Sequence, residues 1–186
     1  MVMLQLKAEK VNKMLSYFKQ SILLPLLLIF LLLFDGSLIV LLSYMLSNVP
    51  YIISSGLLVM SLILLTIYLP NTTSLFYWSF VVGFIYDTFY TSIIGINLFA
   101  FPAIILITQY IAGKLPLNFY SIWFYVLVLY TLYHHVIYLL YRLLDINQNT
   151  LATFWSVYFL PSLLFNGLMA FLLIWLIRQF VLFINK

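Results

Sequence analysis

The chain has 186 residues, of which 66% are hydrophobic and 6% charged, with a mean hydropathy of +1.18. No soluble domain of this length carries so little polar surface without aggregating, so composition alone assigns the chain to the integral membrane proteins. The absence of cysteine excludes a disulfide framework, a thiol nucleophile and a thiolate metal site, and the net charge of +4 comes from basic residues grouped where they meet lipid headgroups, not nucleic acid.

A helical crossing needs roughly 20 apolar residues, and on that measure residues 21–184 form one membrane domain of six segments, 21–46, 52–69, 75–93, 96–113, 119–140 and 154–176. The fold class expected is all-α, a polytopic membrane protein. Residues 1–20 form a basic lead, in which Leu4, Val11, Met14, Leu15 and Phe18 alternate with Lys7, Lys10, Lys13 and Lys19. That pattern reads equally as a short amphipathic helix on the membrane surface or as a disordered tail. The first segment is expected to stay as an anchor, since it lacks a small-residue cleavage site and runs on past Asp35-Gly36 for about three turns.

Turn-forming residues separate most segments: Asn48-Val49-Pro50, Pro70-Asn71-Thr72-Thr73, Gly113-Lys114-Leu115-Pro116 and 145–149. Only Ile94-Gly95 divides the third segment from the fourth, which calls for a tight hairpin or, alternatively, a re-entrant pair. With six crossings the four leading lysines, Lys114, Arg178 and Lys186 share one side, and the positive-inside bias makes that side, with both termini, cytoplasmic. Arg142 is the exception, and Asp145 three positions later partly offsets it.

Between Lys19 and Lys114 there are only two formal charges, Asp35 and Asp87, each within an apolar run. A carboxylate at membrane depth costs on the order of 3 kcal/mol on insertion scales, so it faces protein or a water-filled cavity and marks a site. At a rise of about 1.5 Å per residue, Asp35 lies about 21 Å from the cytoplasmic start of its helix, Asp87 about 18 Å and His134 and His135 about 22 Å. One layer therefore holds them, and Asn166, one turn after Pro161, joins it from the last segment. The residues fit a buried polar network of Asp35, Asp87 and one histidine, or separate side chains bonded to local hydroxyl and backbone groups. Pro161 frees a carbonyl on its preceding turn. Ser79, Gly83 and Asp87 recur every four residues as a stripe of small residues that should face other helices. Tyr125, Tyr130, Tyr133, Tyr138 and Tyr141, with Trp123, are read mainly as interfacial anchors.

Catalytic chemistries find too few participants. An aspartyl dyad needs two carboxylates sharing a proton, and Asp35 lacks the flanking pattern. No serine in a Gly-x-Ser-x-Gly setting accompanies the histidines. Adjacent histidines on one helix point about 100° apart and make poor co-ligands for a metal. No catalytic, metal or cofactor site is expected.

The run Phe80-Val81-Val82-Gly83-Phe84-Ile85-Tyr86-Asp87, then Tyr90, Gly95 and Phe99-Ala100-Phe101, resembles the core signature of MreD, the rod shape-determining membrane protein family, in its Gram-positive form. Leu24-Pro25 before a late acidic residue in the first segment, and Phe159-Leu160-Pro161-Ser162 leading to Asn166, are similar to the same family, so the likeness spans about residues 20–182. The resemblance implies a non-enzymatic subunit of the side-wall elongation machinery in the bacterial cell membrane. It would associate with MreC, a bitopic protein, and through it with MreB filaments, a RodA-type glycosyltransferase and a class B penicillin-binding protein. It also implies a fold similar to the six-helix membrane S subunits of energy-coupling factor transporters. From that follows the alternative function, a substrate-binding membrane subunit of a vitamin transporter. Helices one, two and five are the expected sources of a partner-binding face.

Overall fold

The apolar runs fold as helices, packed side by side with their polar interruptions gathered at one end. The computed structural model describes residues 2–70, 72–91, 93–114, 116, 118–146 and 148–184, with side-chain surroundings from Lys19 onward. In chain order the helices are α1 (Val2–Met45), α2 (Leu57–Tyr68), α3 (Thr73–Tyr86), α4 (Ile96–Ala112), α5 (Phe119–Leu143) and α6 (Leu151–Ile184). A wide π turn, Asp87–Thr91, extends α3, and a second, Phe154–Phe159, lies inside α6. Among the described residues Lys19–Met45 of α1, all of α5 and all of α6 are long and apolar enough to cross a membrane, while α2 and α4 are shorter apolar helices.

Two boundaries differ from the sequence expectation, each for a local reason. The basic lead joins α1 as one continuous helix of 44 residues. The second apolar run becomes helical only at Leu57, not at residue 52, and residues 51–56 are neither helix nor strand. Ile52-Ile53-Ser54-Ser55-Gly56 joins stiff β-branched residues to hydroxyls that compete for backbone partners and to a glycine, a poor composition for a first helical turn.

Helix α2 is the axis of the bundle. Every residue from Leu57 to Ile67 is buried, and α1, α4, α5 and α6 pack around it. A helix apolar on all sides has no solvent face to present, which suits this central place. Lipid tails are as apolar as leucine, so close packing and polar contacts, not transfer from water, favour protein over lipid around α2. Contrary to the sequence expectation of a partner-binding face on helix two, α2 is buried by its neighbours and offers no exposed face, whereas α1 (Phe30, Leu33, Phe34, Tyr44) and α5 (Phe124, Val128, Leu132, Leu139) do.

Helix α3 lies on α4 through Ser79, Gly83 and Asp87, all buried. At Gly83 the backbones meet: a Cβ there would stand 2.5 Å from the carbonyl oxygen of Asn97 and 2.9 Å from Leu98 Cα. Main chain cannot swing aside, so Gly83→Ala should destabilise the protein by about 1–3 kcal/mol, the usual range for overpacking. Gly113→Ala meets nothing within 4 Å and should melt like the parent. Thermal unfolding of both variants in one detergent checks this.

Candidate functional site

The α3–α4 hairpin closes on Asp87. The first turn of a helix leaves its N–H groups without intrahelical partners, and the Asp87 carboxylate collects those of α4. It accepts from the N–H of Gly95 (2.9 Å), Asn97 (3.0 Å to each oxygen) and Leu98 (3.0 Å), and from Asn97 Nδ2 (2.8 Å). The Thr91 hydroxyl lies 3.2 Å away. Gly95 makes the reversal at φ +118°, a left-handed conformation that a side chain would strain. An anion at a helix N-terminus also meets the positive end of the helix dipole, worth about 0.3–1 kcal/mol at exposed sites and up to about 2 when partly buried.

Asp35 does the same for α2, from a different helix. Its Oδ1 accepts from the Leu57 N–H (2.9 Å) and from the Ser55 hydroxyl (2.6 Å). Gly56, the residue preceding α2, has no side chain with which to cap it. The non-helical segment ahead of it is satisfied by α6. Pro161 has no N–H, which leaves the carbonyl of Val157, four residues earlier, without its helical donor; Ile52 N–H donates to that carbonyl at 3.0 Å. Ser54 N–H donates to Ser162 Oγ (2.8 Å), Gly56 N–H to Asn166 Oδ1 (2.9 Å), and Asn166 Nδ2 to Ser54 O (2.8 Å) and Tyr130 Oη (2.8 Å). Non-helical backbone in an apolar interior survives only where protein or water satisfies it, and here side chains of α1 and α6 and the Val157 carbonyl do so.

Between the two helix starts lies a cavity of about 230 Å³. Asp35, Ser55, Tyr86, Asn97, Tyr133 and His134 are among its lining residues, with Tyr138, Tyr141, Phe154 and Phe159. Asp87 is reached from it through Asn97, whose Oδ1 accepts from Tyr133 Oη at 2.5 Å. The basic end is opposite, where the Lys19 ammonium stands 5.8 Å from the Phe183 ring and Tyr68, Phe119 and Arg178 border a second hollow.

The polar residues of the layer thus form two clusters on one cavity. Asp35 and Asp87 make no hydrogen bond to each other among the described residues, and neither bonds a histidine. His134 packs against Tyr130 and Tyr133, at 4.3 and 5.4 Å between ring centroids. His135 turns away, its Nδ1–H donating to Thr131 O (2.8 Å) and its ring set among Phe154, Trp155 and Phe159. No group of three or more His, Asp or Glu side chains able to hold a metal occurs among the described residues.

The tyrosines of α5 require a correction. Tyr125, Tyr130, Tyr133 and Tyr138 are buried in the bundle instead of lying at the lipid interface. Their hydroxyls explain why: Tyr130 receives Asn166, Tyr133 donates to Asn97, and Tyr138 donates to Asn149 O (3.0 Å). Tyr125 Oη has no hydrogen-bond partner among the described residues. Trp123 is half-buried and donates from Nε1 to Gly167 O (2.9 Å), joining α5 to α6. Ser55, Asn97 and Ser162 escaped the sequence reading. Their one signal was a polar residue inside an apolar run beside a glycine or proline.

These features define an all-helical membrane protein whose intramembrane carboxylates hold helix starts. The family model described as rod shape-determining protein MreD matches residues 19–184, and the chain belongs to that family. Its role accordingly lies in determining rod shape. No curated protein and no solved structure matches the chain.

Two substitutions probe the caps. Asp87→Asn keeps one acceptor oxygen, whereas Asp87→Leu strands buried N–H donors, each costing about 1–3 kcal/mol. The leucine variant should melt well below the asparagine variant and be recovered from membranes in smaller amount. Pro161→Ala restores a donor to Val157 O in competition with Ile52. Amide exchange at Ile52 should rise at least severalfold, measured by hydrogen–deuterium exchange in detergent.

Proposed function

We propose that the chain is a non-enzymatic scaffold of the cell-elongation complex, crossing the plasma membrane six times with both termini in the cytoplasm. It binds an MreC-like bitopic protein and through it acts with MreB filaments, a RodA-type glycosyltransferase and a class B penicillin-binding protein in side-wall peptidoglycan synthesis. The family match over residues 19–184 carries this reading. The disposition of the polar groups supports it, because Asp87, Asn166 and the Oδ1 of Asp35 bond backbone donors and acceptors of the fold. We assign these three residues, with Ser79, Gly83 and Pro161, a structural task, and His134 and His135 places in the same polar layer.

In this reading a partner helix packs against an exposed apolar face of α1 or α5. A six-helix likeness to the S subunits of energy-coupling factor transporters belongs to the same proposal, as architecture without the transport activity.

Purification of the tagged chain from crosslinked membranes should recover an MreC-like protein. Its depletion should shorten or round the cells. Recovery of paired ATPases with a coupling membrane protein, together with normal cell shape and a vitamin requirement, would overturn the scaffold in favour of a vitamin-capturing subunit.

A further inference from the structure

The cavity at the capped end has an uneven charge balance. Asp35 lines it, Asp87 stands one residue behind its wall, and among the described residues neither lysine nor arginine lines it. Two carboxyl groups therefore share this layer with only the partial positive charge of helix starts to offset them. The wall is aromatic, and ring faces attract cations. Two wall groups also differ from their neighbours: the Tyr86 hydroxyl and the His134 imidazole have no hydrogen-bond partner among the described residues, while the hydroxyls of Tyr133 and Tyr138 do.

We infer that this cavity receives the primary ammonium of an ethanolamine phosphate, with the phosphate held at the rim by Arg142. An ammonium has three donors and no acceptor, which matches Asp35, Tyr86 Oη and a His134 ring nitrogen set among ring faces. Arg142 is exposed one turn beyond Tyr138, and its Nη1 donates to Tyr138 Oη at 2.9 Å, so an exposed guanidinium is bonded to a residue that lines the cavity. Guanidinium groups recognise phosphate through paired N–H donors. At about 230 Å³ the cavity is smaller than the roughly 300–1,000 Å³ of drug-sized sites, so it takes a small headgroup and not a larger cofactor. The same chemistry occurs in free phosphoethanolamine and in the headgroup of phosphatidylethanolamine. The inference needs no partner protein and is independent of the scaffold reading.

The test uses the full chain in phosphatidylglycerol nanodiscs, titrated calorimetrically with ethanolamine and with phosphoethanolamine, and in detergent by native mass spectrometry against phosphatidylethanolamine and phosphatidylglycerol. Tyr86→Phe and His134→Phe keep ring packing and should melt near the parent, yet each should weaken binding about tenfold. Arg142→Gln should weaken phosphoethanolamine and leave ethanolamine nearly unchanged. Saturable binding of the soluble compound identifies a free ligand, and retention of phosphatidylethanolamine alone identifies a lipid site. Absence of binding to every probe overturns the inference, as does binding that all three folded variants retain at parental strength.

Discussion

Backbone that leaves a helix inside an apolar surrounding must find every hydrogen bond within the protein, and this constraint organises the molecule. Two helices begin inside the bundle, α2 and α4, and each start is met by a carboxylate. Asp87 serves the helix that follows its own across a tight turn, and Asp35 reaches from α1 to a helix that begins 22 residues later. The cost of burying an ionisable group is thereby set against several bonds to N–H groups that would otherwise be orphaned. A carboxylate suits this work because, ionised, it accepts at both oxygens and requires no acceptor in return.

The two caps differ in construction. Around Asp87 all partners are local, within Asp87 to Leu98, so the α3–α4 hairpin is a self-contained unit whose close contact at Gly83 admits the carboxylate to the next helix. Around Asp35 the partners come from distant parts of the sequence. The non-helical residues before α2 lie along α6, bonded to Val157, Ser162 and Asn166, and Pro161 makes the Val157 carbonyl available by lacking an N–H. One proline thus serves a segment more than a hundred residues earlier.

Much of this was legible in the sequence, and the rest was hidden for identifiable reasons. Asp35 and Asp87 stand out because charge is rare in apolar runs, and the spacing of Ser79, Gly83 and Asp87 gives a packing stripe. Their partners are mostly backbone N–H groups, which every residue has and no composition reveals. The late start of α2 was masked because Ile52 and Ile53 are as hydrophobic as a helix requires, and only Ser54-Ser55-Gly56 hinted otherwise. Tyrosine suits both a lipid interface and a polar interior, since it joins an apolar ring to one hydroxyl. Without the positions of Asn97, Asn149 and Asn166, the sequence could not assign Tyr130, Tyr133 and Tyr138 to the interior. The family resemblance, by contrast, needed only the ordered motifs and agrees with the match over residues 19–184.

The place of α2 has a consequence for how the protein is made. Its 12 residues measure roughly 18 Å, short of the roughly 30 Å hydrocarbon layer. The segment ahead of it, residues 51–56, is satisfied by residues from the final helix. When α2 leaves the ribosome, Asp35 is already present but Val157, Ser162 and Asn166 have not been synthesised. The centre of the bundle is therefore the last part to be finished, and a chain cut short before α6 leaves the N–H groups of Ile52, Ser54 and Gly56 without these partners.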